Sequence, residues 1–134
     1  MHYATLACGR ASDSGDIEIC NAGHCAPVLV HEDKAELLEA TGLPVGMMGE
    51  QSYAVEHRSL EAGDVLFLYT DGITEARNRD DHEYGLERLA GVLREKHSLS
   101  PRALAGACLA DLAVFLGGAP RTDDLSLMIL RRTE

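Results

Sequence analysis

Three aspartates stand where strand-like apolar runs meet loops, a position from which carboxylates can hold a metal ion. Asp71 closes the apolar run 65–70, and Asp123 and Asp124 directly precede a second run, 125–130. Two strands that each carry an acid at one end can bring these side chains to one point, and hard divalent cations prefer oxygen ligands. The pattern therefore indicates a candidate Mg²⁺ or Mn²⁺ site. A metal there would lower the pKa of bound water and orient it for attack on phosphorus.

Each acidic segment also has a plain structural interpretation. Asp71-Gly72 can be a turn that closes a strand, and Asp123-Asp124 can be a solvated loop or an Asx-turn. The chain has no Gly-rich phosphate loop ending in Lys-Ser or Lys-Thr, no His-x-x-x-His pair and no Gly-x-Ser-x-Gly elbow. His24 could act as an acid or a ligand, but a packed or capping histidine is the favoured interpretation. The local sequence alone does not decide whether these aspartates only form turns or also bind a metal ion.

The elements that must position these acids are strand-rich first and helix-rich later. Strand patterns cover 3–9, 17–20, 27–30, 35–40, 53–60, 65–70 and 125–130. Apolar residues at helical spacing predict an amphipathic helix from about Tyr84 to Lys96. Ser100-Pro101 predicts the start of a second helix, which ends at Gly117-Gly118. A run of strands, then two helices and a strand, predicts an α+β fold with helices packed on antiparallel sheet.

Composition limits the classes of function. The chain has 134 residues, with 46% hydrophobic and 25% charged residues, which are ordinary values for one globular domain. A net charge of −10 without a basic stripe argues against nucleic acid as a partner. No apolar run reaches the roughly 18 residues of a membrane span, and no signal peptide is visible from Met1 onward. We therefore expect a cytoplasmic protein with neither membrane nor nucleic acid as a partner.

The four cysteines, Cys8, Cys20, Cys25 and Cys108, lack the paired spacing of a zinc ribbon or a redox motif. We expect them to be buried free thiols in a reducing compartment. Cys20, His24 and Cys25 lie close together in sequence, so a zinc-stabilised structural domain stays open as a remote alternative.

Six short segments, taken in order, resemble the metal-dependent (PPM-type) serine/threonine protein phosphatases. The resemblance is to the bacterial branch related to sporulation stage II protein E and to regulators of stress sigma factors. The segments are Asn21-Ala22-Gly23-His24, Leu43-Pro44-Val45-Gly46, Gly63-Asp64, Leu68-Tyr69-Thr70-Asp71-Gly72-Ile73-Thr74-Glu75-Ala76, Tyr84-Gly85-Leu86-Glu87-Arg88-Leu89 and Asp123-Asp124-Leu125-Ser126-Leu127. Any one alone would be weak, but together they span nearly the whole chain.

The resemblance implies an α-β-β-α sandwich that removes phosphate from phosphoserine or phosphothreonine, usually on an anti-sigma-factor antagonist. It implies two Mn²⁺ or Mg²⁺ ions in the whole domain. Asp71 and Asp123 match metal-binding aspartates of the family, and Asp124 is a weaker candidate. Asn21 and His24 belong to a signature segment whose expected role is architectural.

Two metal-binding segments that open the family's domain, Gly-Asp and Asp-x-Ser-Gly-His-Gly, have no counterpart here. We therefore expect residues 1–134 to be the C-terminal two thirds of the domain, a partial sandwich with two helices on one face. Since each ion takes about six oxygen ligands, any metal here should be weakly held and mostly hydrated. The chain alone is then expected to be weakly active or inactive.

Missing opening strands would leave sheet edges and apolar surface uncovered, which favours a homodimer or a strand-exchanged oligomer. Three interpretations stay open: a piece of a longer phosphatase, a chain completed by another chain, or a degenerate module. The last is the alternative function, a non-catalytic module that binds a signalling partner through its sheet edge.

Overall fold

The computed structural model of the protein describes residues 2–134, which form seven strands and three helices. The strands are β1 (Leu6–Ala11), β2 (Asp16–Ala22), β3 (Val28–His31), β4 (Lys34–Leu37), β5 (Glu56–Ser59), β6 (Val65–Tyr69) and β7 (Leu127–Arg131). The helices are α1 (Asp71–Thr74), α2 (Leu86–Lys96) and α3 (Pro101–Leu116).

The strands form two antiparallel sheets. The first has the order β1-β2-β5, and the second has the order β4-β3-β6-β7. The two longer helices, α2 and α3, pack on the second sheet and on each other. The architecture is therefore α+β, a partial α-β-β-α sandwich of antiparallel sheets with two helices on one face, and the predicted fold class is confirmed.

Strand β6 is the centre of the packing because its side chains alternate between two apolar cores. Val65, Phe67 and Tyr69 face the core shared with the helices, whereas Leu66 and Leu68 face the first sheet. This two-residue period places one apolar set on each side of a buried strand. The sequence prediction of a buried strand at 65–70 is correct.

A polar clasp joins α2 to α3. The Arg88 guanidinium donates to both carboxylate oxygens of Asp111, at 2.9 and 3.1 Å, and the Tyr84 hydroxyl donates to the same carboxylate at 2.6 Å. Arg88 also lies over the rings of Tyr84 and Phe115, 5.4 and 5.0 Å from their centroids. The Arg88 hydrogen bonds hold the pKa of Asp111 below its usual range, so the clasp is ionised at neutral pH.

Local signals fix the ends of α3. The Ser100 hydroxyl accepts a hydrogen bond from the Ala103 amide at 3.2 Å, and Pro101 occupies the first helical position. Gly117 ends the helix in the left-handed region, at φ +56°. Both ends agree with the sequence prediction.

Some expectations need correction. The half-exposed strand predicted over 53–60 is shorter, because β5 covers only Glu56–Ser59. Tyr53 instead packs against Gly42 and donates its hydroxyl to the Leu43 carbonyl at 3.0 Å. Cys8 is exposed because β1 is an edge strand, so only Cys108 fits the prediction of buried thiols fully.

Within residues 2–134, no helix combines the length and the apolar character needed to cross a lipid bilayer.

A buried carboxylate fixes the turn before β6. Asp64 accepts a hydrogen bond from the Glu61 amide at 2.8 Å, and its other oxygen lies 2.7 Å from Nδ1 of His31. The hydrogen bond to Asp64, helped by its charge, raises the pKa of His31 above its ordinary value. Protonated His31 thus stabilises the turn that starts the central strand.

We expect His31→Gln to lower the free energy of unfolding more at about pH 5.5 than at about pH 9. The reason is that the folded state raises the pKa of His31. Its charge-dependent contribution is complete below the unfolded pKa, about 6.5, and is lost as the pH rises through the folded value. Urea denaturation midpoints at both pH values measure the difference. His82→Gln, at an exposed loop position, is the matched control, and an equal loss at both pH values would contradict the prediction.

Candidate metal centre

Antiparallel pairing of β6 with β7 brings the two aspartate segments to one end of the second sheet. The register runs from Val65 opposite Arg131 to Tyr69 opposite Leu127, so the end of β6 lies beside the start of β7. Beyond the ladder, the Thr70 amide donates to the Ser126 carbonyl at 3.0 Å, and the Ser126 amide donates to the Thr70 hydroxyl at 2.9 Å. Asp71 leaves this pairing on one strand, and Asp124 enters it two residues before Ser126.

The closest approach is between backbones. A Cβ atom built on Gly72 would lie 2.1 Å from the carbonyl oxygen of Asp124 and 2.9 Å from its carbonyl carbon. Real Cβ atoms do not come that close to backbone atoms, so only glycine allows the first turn of α1 to rest on the 123–125 segment. The structure therefore places the segments of Asp71 and Asp123 against each other, with all three candidate carboxylates exposed to solvent.

Glu75 joins this region, although the sequence analysis did not single it out. It lies one helical turn after Asp71 and lines a cleft of about 290 Å³ with Gly72, Thr122 and Asp123. We call this the aspartate cleft. The sequence signal for Glu75 is its position four residues after Asp71. Residues four apart lie on one face of a helix, so this signal applies only if 71–75 is helical.

Cys25 borders the same acids but is unsuited to nucleophilic chemistry. Burial raises the pKa of its thiol, and the charges of Asp71 and Glu75 raise it further. A thiol with a raised pKa stays protonated at neutral pH, and the thiolate is the reactive form.

The Asp123 side chain is oriented by its own loop. Its Oδ1 accepts a hydrogen bond from the Asp124 amide at 2.8 Å, which leaves Oδ2 for other contacts. This contact is to the next residue and not to the one after it, so it is not an Asx-turn, and it does not occupy the whole carboxylate.

The 21–24 segment supports this end of the sheet through backbone contacts. Asn21 is 1% exposed; its Oδ1 accepts from the His24 amide at 2.8 Å, and its Nδ2 donates to the carbonyls of His24 and Leu38 at 3.1 and 3.4 Å. His24 Nε2 lies 3.0 Å from the Tyr69 carbonyl, and Nδ1 lies 3.0 Å from the Thr5 hydroxyl. Because a carbonyl only accepts, Nε2 carries a proton and donates it to Tyr69.

The donor set matches a hard cation in type but is incomplete in number. Carboxylate oxygens suit Mg²⁺ and Mn²⁺, and Asp71, Asp123 and Asp124 offer such oxygens at one end of the sheet. In the part of the chain that the structure describes, no three His, Cys, Asp or Glu side chains are arranged to hold one ion, and this applies to Cys20, His24 and Cys25 as well. These residues can therefore form only part of a metal's ligand shell.

Comparison with known proteins gives a consistent result. The sequence model of the family Stage II sporulation protein E (SpoIIE) matches residues 1–133. Protein IcfG of Synechocystis sp. is 30% identical over 133 residues, which is 97% of this chain and 21% of that protein. Phosphoserine phosphatase RsbU of Bacillus subtilis is 31% identical over 124 residues, which is 90% of this chain and 36% of that protein.

A similar solved structure contains the RsbU and RsbW domains of Rv1364c from Mycobacterium tuberculosis. It superposes with a TM-score of 0.75 at 28% identity and covers 96% of this chain and 36% of that one. The chain therefore spans only about a fifth to about a third of the length of the relatives it matches.

We expect Gly72→Ala to lower the free energy of unfolding by about 1–3 kcal/mol, since the new methyl group would force two backbone segments apart. Urea denaturation measures the change. Gly49→Ala is the matched control, because nothing lies within 4 Å of its added Cβ; there the effect should be about 0.5 kcal/mol or less. Equal effects at the two positions would contradict the close approach of Gly72 to Asp124.

Proposed function

The chain belongs to the stage II sporulation protein E family of PPM-type phosphatases, and from this premise we propose that residues 1–134 form the C-terminal part of a metal-dependent phosphatase domain. The proposed reaction is hydrolysis of phosphoserine or phosphothreonine on a bacterial signalling protein in the cytoplasm, such as an anti-sigma-factor antagonist. The observation that carries the proposal is the contact of Gly72 with Asp124, which supports a shared site for the acids on either side.

Asp71 and Asp123 are the proposed metal ligands, with Asp124 as a weaker candidate. When bound, Mn²⁺ or Mg²⁺ would activate a water molecule and stabilise charge on the phosphate. Asp71 would contribute its exposed carboxylate from the start of α1. Asp123 would contribute mainly Oδ2, because its Oδ1 accepts from the Asp124 amide.

The small number of proposed ligands explains why this chain alone should have little activity. Two or three carboxylates supply only part of the roughly six ligands that each ion takes. The rest would come from water here, and from further protein segments in a complete domain. The parent domain, with two ions, is therefore the proposed enzyme.

We expect the chain to bind Mn²⁺ with a dissociation constant on the order of 0.1–1 mM, as for other loosely built oxygen sites. Loss of the free Mn²⁺ signal in electron paramagnetic resonance measures the affinity. Asp71→Asn and Asp123→Asn should each weaken it severalfold, because each removes a charged ligand. Asp33→Asn is the matched control, since Asp33 is an exposed acid in the β3–β4 turn, at the opposite end of the same sheet.

Release of inorganic phosphate from a phosphoserine peptide tests the reaction itself, for the 134-residue chain and for any longer product of its reading frame. The chain alone should stay near the blank, and a longer active product should lose turnover in Asp71→Asn. Rapid Mn²⁺-dependent turnover by the chain alone would overturn the proposed incompleteness. Equal Mn²⁺ affinity in wild type and both aspartate variants would overturn the metal site.

An apolar opening between the sheets bears on assembly. Residues of β1, β2, β6 and β7 line a cleft of about 270 Å³ there, among them Ile17, Leu66, Leu68, Met128 and Leu130. Met128 and Leu130 are 54% and 41% exposed although they face the first sheet. Within residues 2–134, β1 and β7 each pair along one edge only. We name this region the open side and propose that strands from outside this chain close it.

We expect the isolated chain to associate through the open side, as a homodimer or a strand-exchanged oligomer. Light scattering across a dilution series should give a mass above that of the monomer, falling on dilution. The double substitution Met128→Lys and Leu130→Lys should shift the chain to monomer, because it places two charges in the apolar cleft. Val114→Lys, on the outer face of α3, is the control. A monomeric mass at every concentration would rule the association out.

The open side also favours the second candidate function, a non-catalytic module that binds a signalling protein by adding a strand to β1 or β7. Absence of measurable Mn²⁺ affinity together with a specific protein partner would support that alternative over the phosphatase.

A further inference from the structure

Arg121 stands where two surface depressions meet. One is the aspartate cleft, which Arg121 lines together with Gly72 and Asp123. The other, which we call the α3 groove, has a volume of about 420 Å³ and is lined by Leu109, Ala113, Leu116, Ala119 and Leu125, again with Arg121. A ligand held by this guanidinium can therefore lie beside Asp123, one of the candidate metal ligands, and beside an apolar surface.

The charge of Arg121 is available for a ligand. Arg77, the other arginine of the aspartate cleft, pairs with Glu83 at 2.9 Å and with Asp81 at 3.6 Å. For exposed Arg121, no carboxylate lies within 4.0 Å among residues 2–134. A guanidinium can bind a phosphate through two parallel hydrogen bonds, which makes arginine a specific phosphate ligand.

The outward face of α3 lacks the charges that a solvent-facing helix normally carries. From Ala103 to Val114, its exposed residues are Ala, Gly, Leu and Val, and Leu109 and Val114 are 42% and 75% exposed. In a chain with a net charge of −10, an uncharged surface beside a free arginine is distinctive. Apolar side chains of a ligand could be buried there without desolvating charged groups of the protein, which would be costly on the charged remainder of the surface.

We propose that Arg121 and the α3 groove bind the phosphorylated segment of a protein substrate, and this proposal rests on the proposed phosphatase function. Arg121 binds the phosphate at the aspartate cleft, and the groove takes apolar side chains close to the phosphorylated residue. The helix rises about 10 Å from Leu109 to Leu116, a distance that an extended peptide covers in about three residues. The recognised segment therefore has apolar residues within about three positions of the phosphate.

Peptide binding tests this without requiring turnover. The probe is a fluorescein-labelled peptide in which a non-hydrolysable phosphonate analogue of phosphoserine has two leucines on each side. One control peptide replaces the leucines by alanines, and another carries unmodified serine. Fluorescence anisotropy titrations with Mn²⁺ present should show about tenfold tighter binding of the leucine phosphonate peptide than of either control.

Matched variants separate the two contacts. Arg121→Ala should sharply weaken the preference for phosphonate over serine, leaving only the part that Mn²⁺ supplies, and Arg121→Lys should restore part of the loss. Leu109→Asp should abolish the preference for leucine over alanine, and Ala113→Asp should repeat that result. Val114→Asp and Arg102→Ala, exposed residues of α3 outside the groove, should change neither preference. Urea denaturation of each variant verifies folding.

The results distinguish this inference from the phosphatase proposal. Both peptide preferences, together with no hydrolysis by any longer product of the reading frame, would support the recognition surface and count against the enzyme. Metal-dependent hydrolysis without a leucine preference would overturn the inference and leave the enzyme intact. A phosphonate preference alone identifies a site for small phosphorylated compounds and also overturns the inference. Equal losses in Leu109→Asp and Val114→Asp, or no peptide binding at all, would overturn it too.

Discussion

The structure depends on a backbone contact that only glycine permits. Gly72 rests on the carbonyl of Asp124, and this contact continues the β6–β7 ladder past its last hydrogen-bonded pair. Because of it, an acid that ends one strand and acids that begin another share one end of the sheet. The buried apolar ladder supplies the rigidity, and the solvent-exposed carboxylates at its end are the candidate metal ligands.

Several polar residues of the signature segments hold the architecture in place. Asn21 accepts a hydrogen bond from the backbone amide of His24, and Asp64 accepts one from the backbone amide of Glu61 in the turn before β6. Tyr84 and Arg88 hold α2 to α3 through one carboxylate, Asp111. Buried polar groups need partners, and each of these has them. A signature in a family of enzymes can thus report architecture as strongly as catalysis.

Sequence reasoning succeeded where the signals are local. The apolar run of β6, the Ser100 cap and the Gly117 stop predict their elements because each acts within a few residues. It failed where contacts between residues distant in sequence determine the local structure. Tyr53 gives a strand-like alternation but packs as a loop residue against Gly42. The helix α1 has four residues, too few to show a period.

The candidate site was predictable to a similar degree. Asp71 and Asp123 could be identified because each lies next to a strand-like run, and strand pairing could bring them to one end. The approach of Gly72 to Asp124 depends on the register of β6 and β7, which the sequence does not display. The position of Arg121 between the aspartate cleft and the α3 groove depends on the path of the 117–126 loop. No local pattern encodes that path.

Strand β7 adjoins both the loop of the candidate metal ligands and the open side. Its first residues continue the loop of Asp123 and Asp124, and its free edge forms part of the open side. A strand that joined that edge would therefore lie beside the start of the loop that carries Asp123 and Asp124. The proposed association and the proposed cation site would then be linked through a single five-residue strand. By thermodynamic reciprocity, any effect of the association on cation affinity would equal the effect of the cation on the association.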